Sequence, residues 1–261
     1  MNILRKRKSL KKIFLRKKVV CLTAYTSPIA SLVDEFADII LVGDSVGPVL
    51  YGLKSTREVN LDMIISHAKA VVNNTKNAFI VVDMPFGTYE KSRKDALKNA
   101  QKIISSTGAM AVKVEGGEKI FETIKFLANN NIKVMGHLGM LPQSLKGKPI
   151  VYGKSLKEKK QILRDVSLLE KAGVFSIVIE CTLKSLVDDL IKRTDLPLIG
   201  IGASSKCKGQ ILVTEDILGM TKFNSKFLKQ YYNFLKDARK AVKKYTSDVR
   251  TKKYPKKSQC Y

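Results

Sequence analysis

Apolar residues along the chain gather in short runs rich in Val, Ile and Leu, separated by longer stretches of mixed pattern. The runs lie at 19–24, 38–43, 78–84, 110–114, 132–137, 175–180, 197–202 and 210–213. Most are apolar at successive positions, not alternating, as expected for parallel strands covered on both faces. Between them the spacing of apolar positions shifts toward the helical period. It predicts helices over 29–36, 61–73, 92–106, 118–130, 157–171 and 183–193, with further helix over 223–246. Ser27-Pro28 reads as a cap followed by proline at the first helical position.

Eight strands with intervening helices in about 230 residues predict a (β/α)8 barrel, the TIM barrel fold. A doubly wound open sheet fits the same alternation. It lacks its glycine fingerprint here, because Ala24-Tyr25-Thr26-Ser27 follows the first strand. The expected organisation is a basic extension over 1–18, one catalytic domain over 19–246 and a basic tail over 247–261.

Polar residues interrupt the apolar runs at one end. Asp44 and Ser45 follow the second strand, and Asp83 lies near the end of the third. Lys113 and Glu115 close the fourth, His137 the fifth and Glu180 the sixth. In a barrel all of these are C-terminal strand ends, where active sites form. Asp44 or Asp83 alone could cap a helix or pair with a lysine. Together with Glu115 they make a hard oxygen set suited to a divalent cation such as Mg2+. Lys113 could pair with a neighbouring acid, or serve a substrate carboxylate or a developing enolate. Glu180 has the setting of a general base, with a salt bridge to a lysine as the alternative. His137 lies between glycines in Gly136-His137-Leu138-Gly139, which suits a polar site residue. Gly200-Ile201-Gly202 is weak ground for a phosphate site.

The chain has 261 residues and a formal net charge of +25. Residues 1–18 hold nine basic residues and no acid, and 236–261 hold ten against two. Such ends can attract nucleic acid non-specifically. No RNA-binding signature accompanies them, so no specific nucleic-acid partner is expected. The four cysteines form no Cys-x-x-Cys pair, which argues against structural zinc. No apolar run approaches the ~20 residues that span a bilayer. A soluble cytoplasmic protein with no membrane partner is expected.

Taken in order, several stretches resemble the 3-methyl-2-oxobutanoate hydroxymethyltransferase (ketopantoate hydroxymethyltransferase) family. They are Leu22-Thr23-Ala24-Tyr25, LVGDSVG at 41–47, VDMPFGTY at 82–89, VKVEGGE at 112–118, GHLGMLPQS at 136–144, Ile179-Glu180-Cys181 and LIGIGASSKCKGQILV at 198–213. The resemblance implies a TIM barrel of the phosphoenolpyruvate/pyruvate type, assembled as a homo-oligomer, usually a decamer. It implies Mg2+, and 5,10-methylenetetrahydrofolate as cosubstrate for hydroxymethyl transfer to 3-methyl-2-oxobutanoate, giving 2-dehydropantoate on the route to pantothenate. Its metal carboxylates match Asp44, Asp83 and Glu115. Its 2-oxoacid contacts match Asp44, Ser45, Asp83 and Lys113, and its proton acceptor matches Glu180. The expected chemistry is an enolate held by Mg2+ and Lys113 after Glu180 takes the C3 proton, with His137 orienting a neighbour. A related barrel lyase acting on a 2-oxoacid derivative is the rival. Thr26, Ser204, Lys208 and a short 145–154 loop depart from the family pattern. The basic ends hold no matched residue, so removal of 1–17 is expected to spare turnover.

Overall fold

The computed structural model describes residues 7–145 and 150–261. Residues 1–6 of the basic extension and 146–149 of the 145–154 loop lie outside the described residues. The order of elements is α1 (Leu10–Phe14), β1 (Val19–Thr23), α2 (Ser27–Asp34), β2 (Ile39–Val42), α3 (Leu61–Asn73), β3 (Phe79–Asp83), α4 (Arg93–Thr107), β4 (Ala111–Glu115), α5 (Phe121–Asn129), β5 (Val134–Gly139), α6 (Leu156–Ala172), β6 (Ser176–Glu180), α7 (Lys184–Ile191), β7 (Leu198–Ile201), β8 (Gly209–Leu212), α8 (Thr214–Ile217) and α9 (Phe234–Arg250). Each strand pairs in parallel with the next, and β1 with β8 closes the barrel. The predicted (β/α)8 fold is therefore the observed one.

Strand side chains alternate between two apolar layers, as the two-residue period requires. Val19, Cys21, Ile39, Leu41, Phe79, Val81, Ala111, Met135, Val178, Ile199 and Ile211 fill the interior. Ile40, Val42, Ile80, Val82, Val112, Val114, Val134, Ile177 and Ile179 join the separate layer shared with the helices. Burial on both sides is why these strands read as continuous apolar runs.

The N-terminal segment is more than a basic extension. Ser9 caps α1, and Ile13 is completely buried in the interior cluster, with Leu10 and Phe14 packed beside it. Phe14 meets Phe175, which meets Phe79, both at strand starts, so α1 closes the N-terminal end of the barrel. Lys8 and Arg16 both reach the buried Asp38 carboxylate, at 3.1 and 3.2 Å. Removing 1–17 would uncover that end, so a loss of stability is expected even where turnover is spared. Ile13→Ala alone should lower stability by ~2–5 kcal/mol, the cost of deleting a fully buried aliphatic side chain. An unchanged urea midpoint would show that α1 does not close the core.

Most boundaries shift by one to three residues from the sequence reading, and three of the differences matter here. Strand β5 runs to Gly139, because its ladder with β6 continues to the Gly139–Glu180 pair. His137 therefore lies inside the strand and does not close it. Helix α2 starts at Ser27, with Thr26 at the cap position but making no side-chain capping bond. Residues 223–233 are not helical; α9 begins after Asn233, whose side chain accepts the Lys236 N–H.

The chain divides into two compact units, 1–213 and 214–261. The second comprises α8, a returning segment whose Tyr231 and Phe234 N–H groups donate to Ile217 and Leu218 carbonyls, and α9. Among the described residues, no helix is long and apolar enough to cross a membrane.

Candidate active site

The inward phase of the strands continues into polar residues at their C-terminal ends. In β3 the interior positions run Phe79, Val81, Asp83; in β4 Ala111, Lys113, Glu115; in β5 Met135, His137; in β6 Ser176, Val178, Glu180. Register sets Asp83 beside Lys113, and Glu115 beside His137. Asp44 and Ser45 follow β2 directly. All seven residues singled out from the sequence line one cavity of about 120 Å³. Thr23, Leu41, Thr56, Pro142, Val178, Ile201, Ile211 and Val213 complete its lining.

Charged contacts link the cluster. Lys113 Nζ lies 2.9 Å from Asp83 Oδ1, and the Asp44 N–H donates to Asp83 Oδ2 at 3.0 Å. His137 stands between two carboxylates, with Nδ1 3.2 Å from Glu115 and Nε2 3.1 Å from Glu180. Lys113 Nζ is 3.4 Å from His137 Nδ1. Ser45 Oγ bonds the buried Tyr25 hydroxyl at 2.6 Å. The Glu180 side chain is 13% exposed, against 5% or less for Asp83, Lys113, Glu115 and His137, so it is the most open of the paired groups.

Local backbone geometry fixes the approach to Glu180. Gly139, opposite it, has φ +90°, and a Cβ there would clash with the Glu180 carbonyl oxygen. Cys181, the next residue, takes a left-handed φ of +45°. That conformation costs a non-glycine residue ~1–2 kcal/mol. Two backbone bonds hold it: Cys181 N–H donates to the Ile201 carbonyl at 2.9 Å, and Tyr152 N–H donates to the Cys181 carbonyl at 2.8 Å.

Burial and crowding set the charge states. Burial, then the neighbouring Asp83 carboxylate, pushes Asp44 up to about 8 against the pull of Lys113. Burial likewise raises Asp83, although Lys113 and the Asp44 N–H oppose it. For Glu115 burial is outweighed by the His137 hydrogen bond and charge, with help from Lys113, so it falls below the usual carboxylate range. Burial and Lys113 oppose a charge on His137, yet Glu115 and Glu180 prevail and raise it to about 9. The two carboxylates thus favour the imidazolium form of His137. Burial disfavours the Lys113 charge, but Asp83, Glu115 and Asp44 hold it above the ordinary lysine range.

The donor set fits a hard dication. Asp44, Asp83, Glu115 and Glu180 oppose only Lys113 and His137, an excess of two negative charges when all are ionised. Asp83 Oδ1 is buried and, although close to Lys113, makes no aligned hydrogen bond. Among the described residues no group of three or more His, Cys, Asp or Glu side chains forms a ready metal cage. Mg2+ does not need one, since it commonly takes one or two carboxylates and keeps water or substrate oxygens.

Sequence reasoning gave no role to Tyr89 or Gln143, both buried in this network. Gln143 Nε2 donates to Asp44 Oδ2 at 2.8 Å and its N–H to Glu115 Oε2 at 3.0 Å. Tyr89 donates to Gln143 Oε1 at 2.6 Å. Both residues stand inside the motifs that carry the resemblance, but nothing local marks either as a site residue. Of the departures, the 145–154 loop reaches the site through Tyr152, which bonds Cys181 beside Glu180. Ser204 donates to Asp188, and the Lys208 carbonyl accepts the Val19 N–H at 2.9 Å.

A sequence model described as ketopantoate hydroxymethyltransferase matches residues 5–257. A 3-methyl-2-oxobutanoate hydroxymethyltransferase of Pelagibacter ubique is 49% identical over 246 residues, 94% of this chain and 95% of that protein. One from Rhizobium etli is 46% identical over 242 residues, 92% of this chain and 89% of that protein. Among solved structures, phosphonopyruvate hydrolase in complex with oxalate and Mg2+ superposes with a TM-score of 0.59 at 12% identity, covering 93% of this chain and 88% of that one. A 2,3-dimethylmalate lyase of the PEP mutase/isocitrate lyase superfamily gives 0.58 at 12%, over 92% and 84%. Identity this low speaks for the fold alone, a closed (β/α)8 barrel. The sequence matches run nearly end to end, and this chain belongs to the ketopantoate hydroxymethyltransferase family.

Proposed function

We propose that the chain transfers a hydroxymethyl group from 5,10-methylenetetrahydrofolate to 3-methyl-2-oxobutanoate, forming 2-dehydropantoate. The observation that carries this reading is the mixed lining of the cavity. Carboxylates and Lys113 line it together with Leu41, Val178, Ile201, Ile211 and Val213. A small 2-oxoacid with a branched alkyl group matches both, with oxygens at one end and an isopropyl group at the other.

Asp44, Ser45, Asp83 and Lys113 would hold the 2-oxoacid oxygens. Asp44, Asp83 and Glu115 would hold Mg2+, which when bound would supply Lewis acidity to the 2-oxoacid. Glu180 takes the C3 proton on a carboxylate oxygen, while the His137 imidazolium, 3.1 Å away, orients it. The Lys113 ammonium offsets negative charge that develops on the keto oxygen. Water would release the one-carbon unit at the formaldehyde level, breaking its bonds to two folate nitrogens, which take up the water protons and leave as tetrahydrofolate. The carbon nucleophile adds to that carbon, and Glu180 returns its proton to the new hydroxyl oxygen. Folate carries that carbon at the formaldehyde level, so the reaction needs no redox cofactor. The same reading includes a cytoplasmic homo-oligomer, with a decamer as the expected assembly, acting on small molecules.

The deciding assay supplies 3-methyl-2-oxobutanoate, methylenetetrahydrofolate and Mg2+, and identifies the product by mass. Formation of 2-dehydropantoate is expected. A folded protein that leaves the 2-oxoacid unconsumed would refute the reading. Carbon–carbon cleavage of a 2-oxoacid derivative would favour a lyase instead.

A further inference from the structure

The geometry points to Gln143 as a positioning residue that sets the spacing of Asp44 and Glu115, with Tyr89 locking its amide. The inference rests on the metal reading above, since it concerns two of the three carboxylates proposed to hold Mg2+. Asp44 follows β2 and Glu115 ends β4, with β3 between them. No ladder hydrogen bond can fix the distance between residues on non-adjacent strands. Gln143 spans it from the short 3-10 turn 142–144 in the loop after β5.

Its side-chain amide and backbone N–H are all engaged. Nε2 donates to Asp44 Oδ2 at 2.8 Å and to the Met84 carbonyl at 3.0 Å. The backbone N–H donates to Glu115 Oε2 at 3.0 Å, and Oε1 accepts from Tyr89 at 2.6 Å. Tyr89 in turn accepts the Glu115 N–H at 3.2 Å, so the loop of bonds returns to β4. Turning the amide over would set its oxygen against the Asp44 carboxylate and the Met84 carbonyl, two acceptors with no proton to offer. One orientation is therefore selected. Each carboxylate gives Gln143 a single oxygen, Oδ2 of Asp44 and Oε2 of Glu115, and keeps the other outside this network.

The test is Mn2+ binding, followed by titration on the full chain without substrate, with folding checked by circular dichroism. Gln143→Leu should weaken Mn2+ binding about tenfold or more, the scale of one hydrogen bond to a charged group. Tyr89→Phe should weaken it by a smaller factor, because the amide keeps its bonds to Asp44 and Met84 and loses only the one its oxygen accepts. The double variant should lose less than the two single losses combined, since both changes act on the Gln143 amide while Tyr89 also bonds Glu115 directly. Raised Mg2+ should restore turnover in Gln143→Leu, which a merely structural defect would not allow. If Gln143→Leu does not fold, Tyr89→Phe decides alone. Mn2+ affinity unchanged in the folded variants overturns the role of Gln143 and leaves the metal reading standing. Failure of the unaltered chain to bind Mn2+ overturns both.

Discussion

Glu180→Gln is expected to lower turnover by ~10²–10⁴-fold, the usual worth of a general base. Glutamine keeps the shape and the reach toward His137, but it cannot accept a proton. Glu180 is the most open of the paired groups, and it lies 3.1 Å from His137 without touching the proposed metal carboxylates. Binding of metal and 2-oxoacid should therefore survive. The sharper measurement is the partial reaction. With Mg2+ and no folate, the unaltered enzyme should exchange the C3 proton of 3-methyl-2-oxobutanoate with deuterated solvent, and the variant should not. His137 is a poor substitute base, because Glu115 and Glu180 both favour its protonated form. Exchange at the unaltered rate would thus remove proton abstraction from Glu180.

Asp83→Asn should fail for two separable reasons. The carboxylate belongs to the proposed metal set, so Mg2+ affinity should fall and excess Mg2+ should restore part of the turnover. Asp83 is also the nearest anion to Lys113, at 2.9 Å, and both side chains are at most 5% exposed. Breaking a buried pair by neutralising one partner costs ~3–5 kcal/mol, because the other charge loses its counterion. The metal-free variant should therefore melt well below the unaltered protein. A variant with unchanged melting and unchanged Mg2+ affinity would contradict both roles. Loss of affinity without loss of stability would remove only the Lys113 pairing.

Much of this was legible in the chain because barrel strands are parallel and closed. Apolar runs such as Phe79–Asp83 and Ala111–Glu115 show their burial on both faces directly. Once eight such strands alternate with helices, every strand end points to one mouth. Asp83, Lys113, Glu115, His137 and Glu180 could then be grouped from their places in the runs, with no long-range contact known. The family motifs added their proposed roles.

Other features depended on contacts that pattern does not encode. Leu10, Ile13 and Phe14 have helical spacing, but nine flanking and interspersed basic residues made the segment read as a solvated end. Only the closed barrel supplies the apolar opening that buries Ile13. The Tyr89–Gln143 bond spans 54 residues and the Gln143–Asp44 bond 99. Local sequence determined the strands, their direction and the residues at their ends, because side-chain period and burial are written position by position. Tertiary structure decided which of those residues meet, which carry charge and what holds them apart, because hydrogen bonds and desolvation depend on neighbours that only folding brings together.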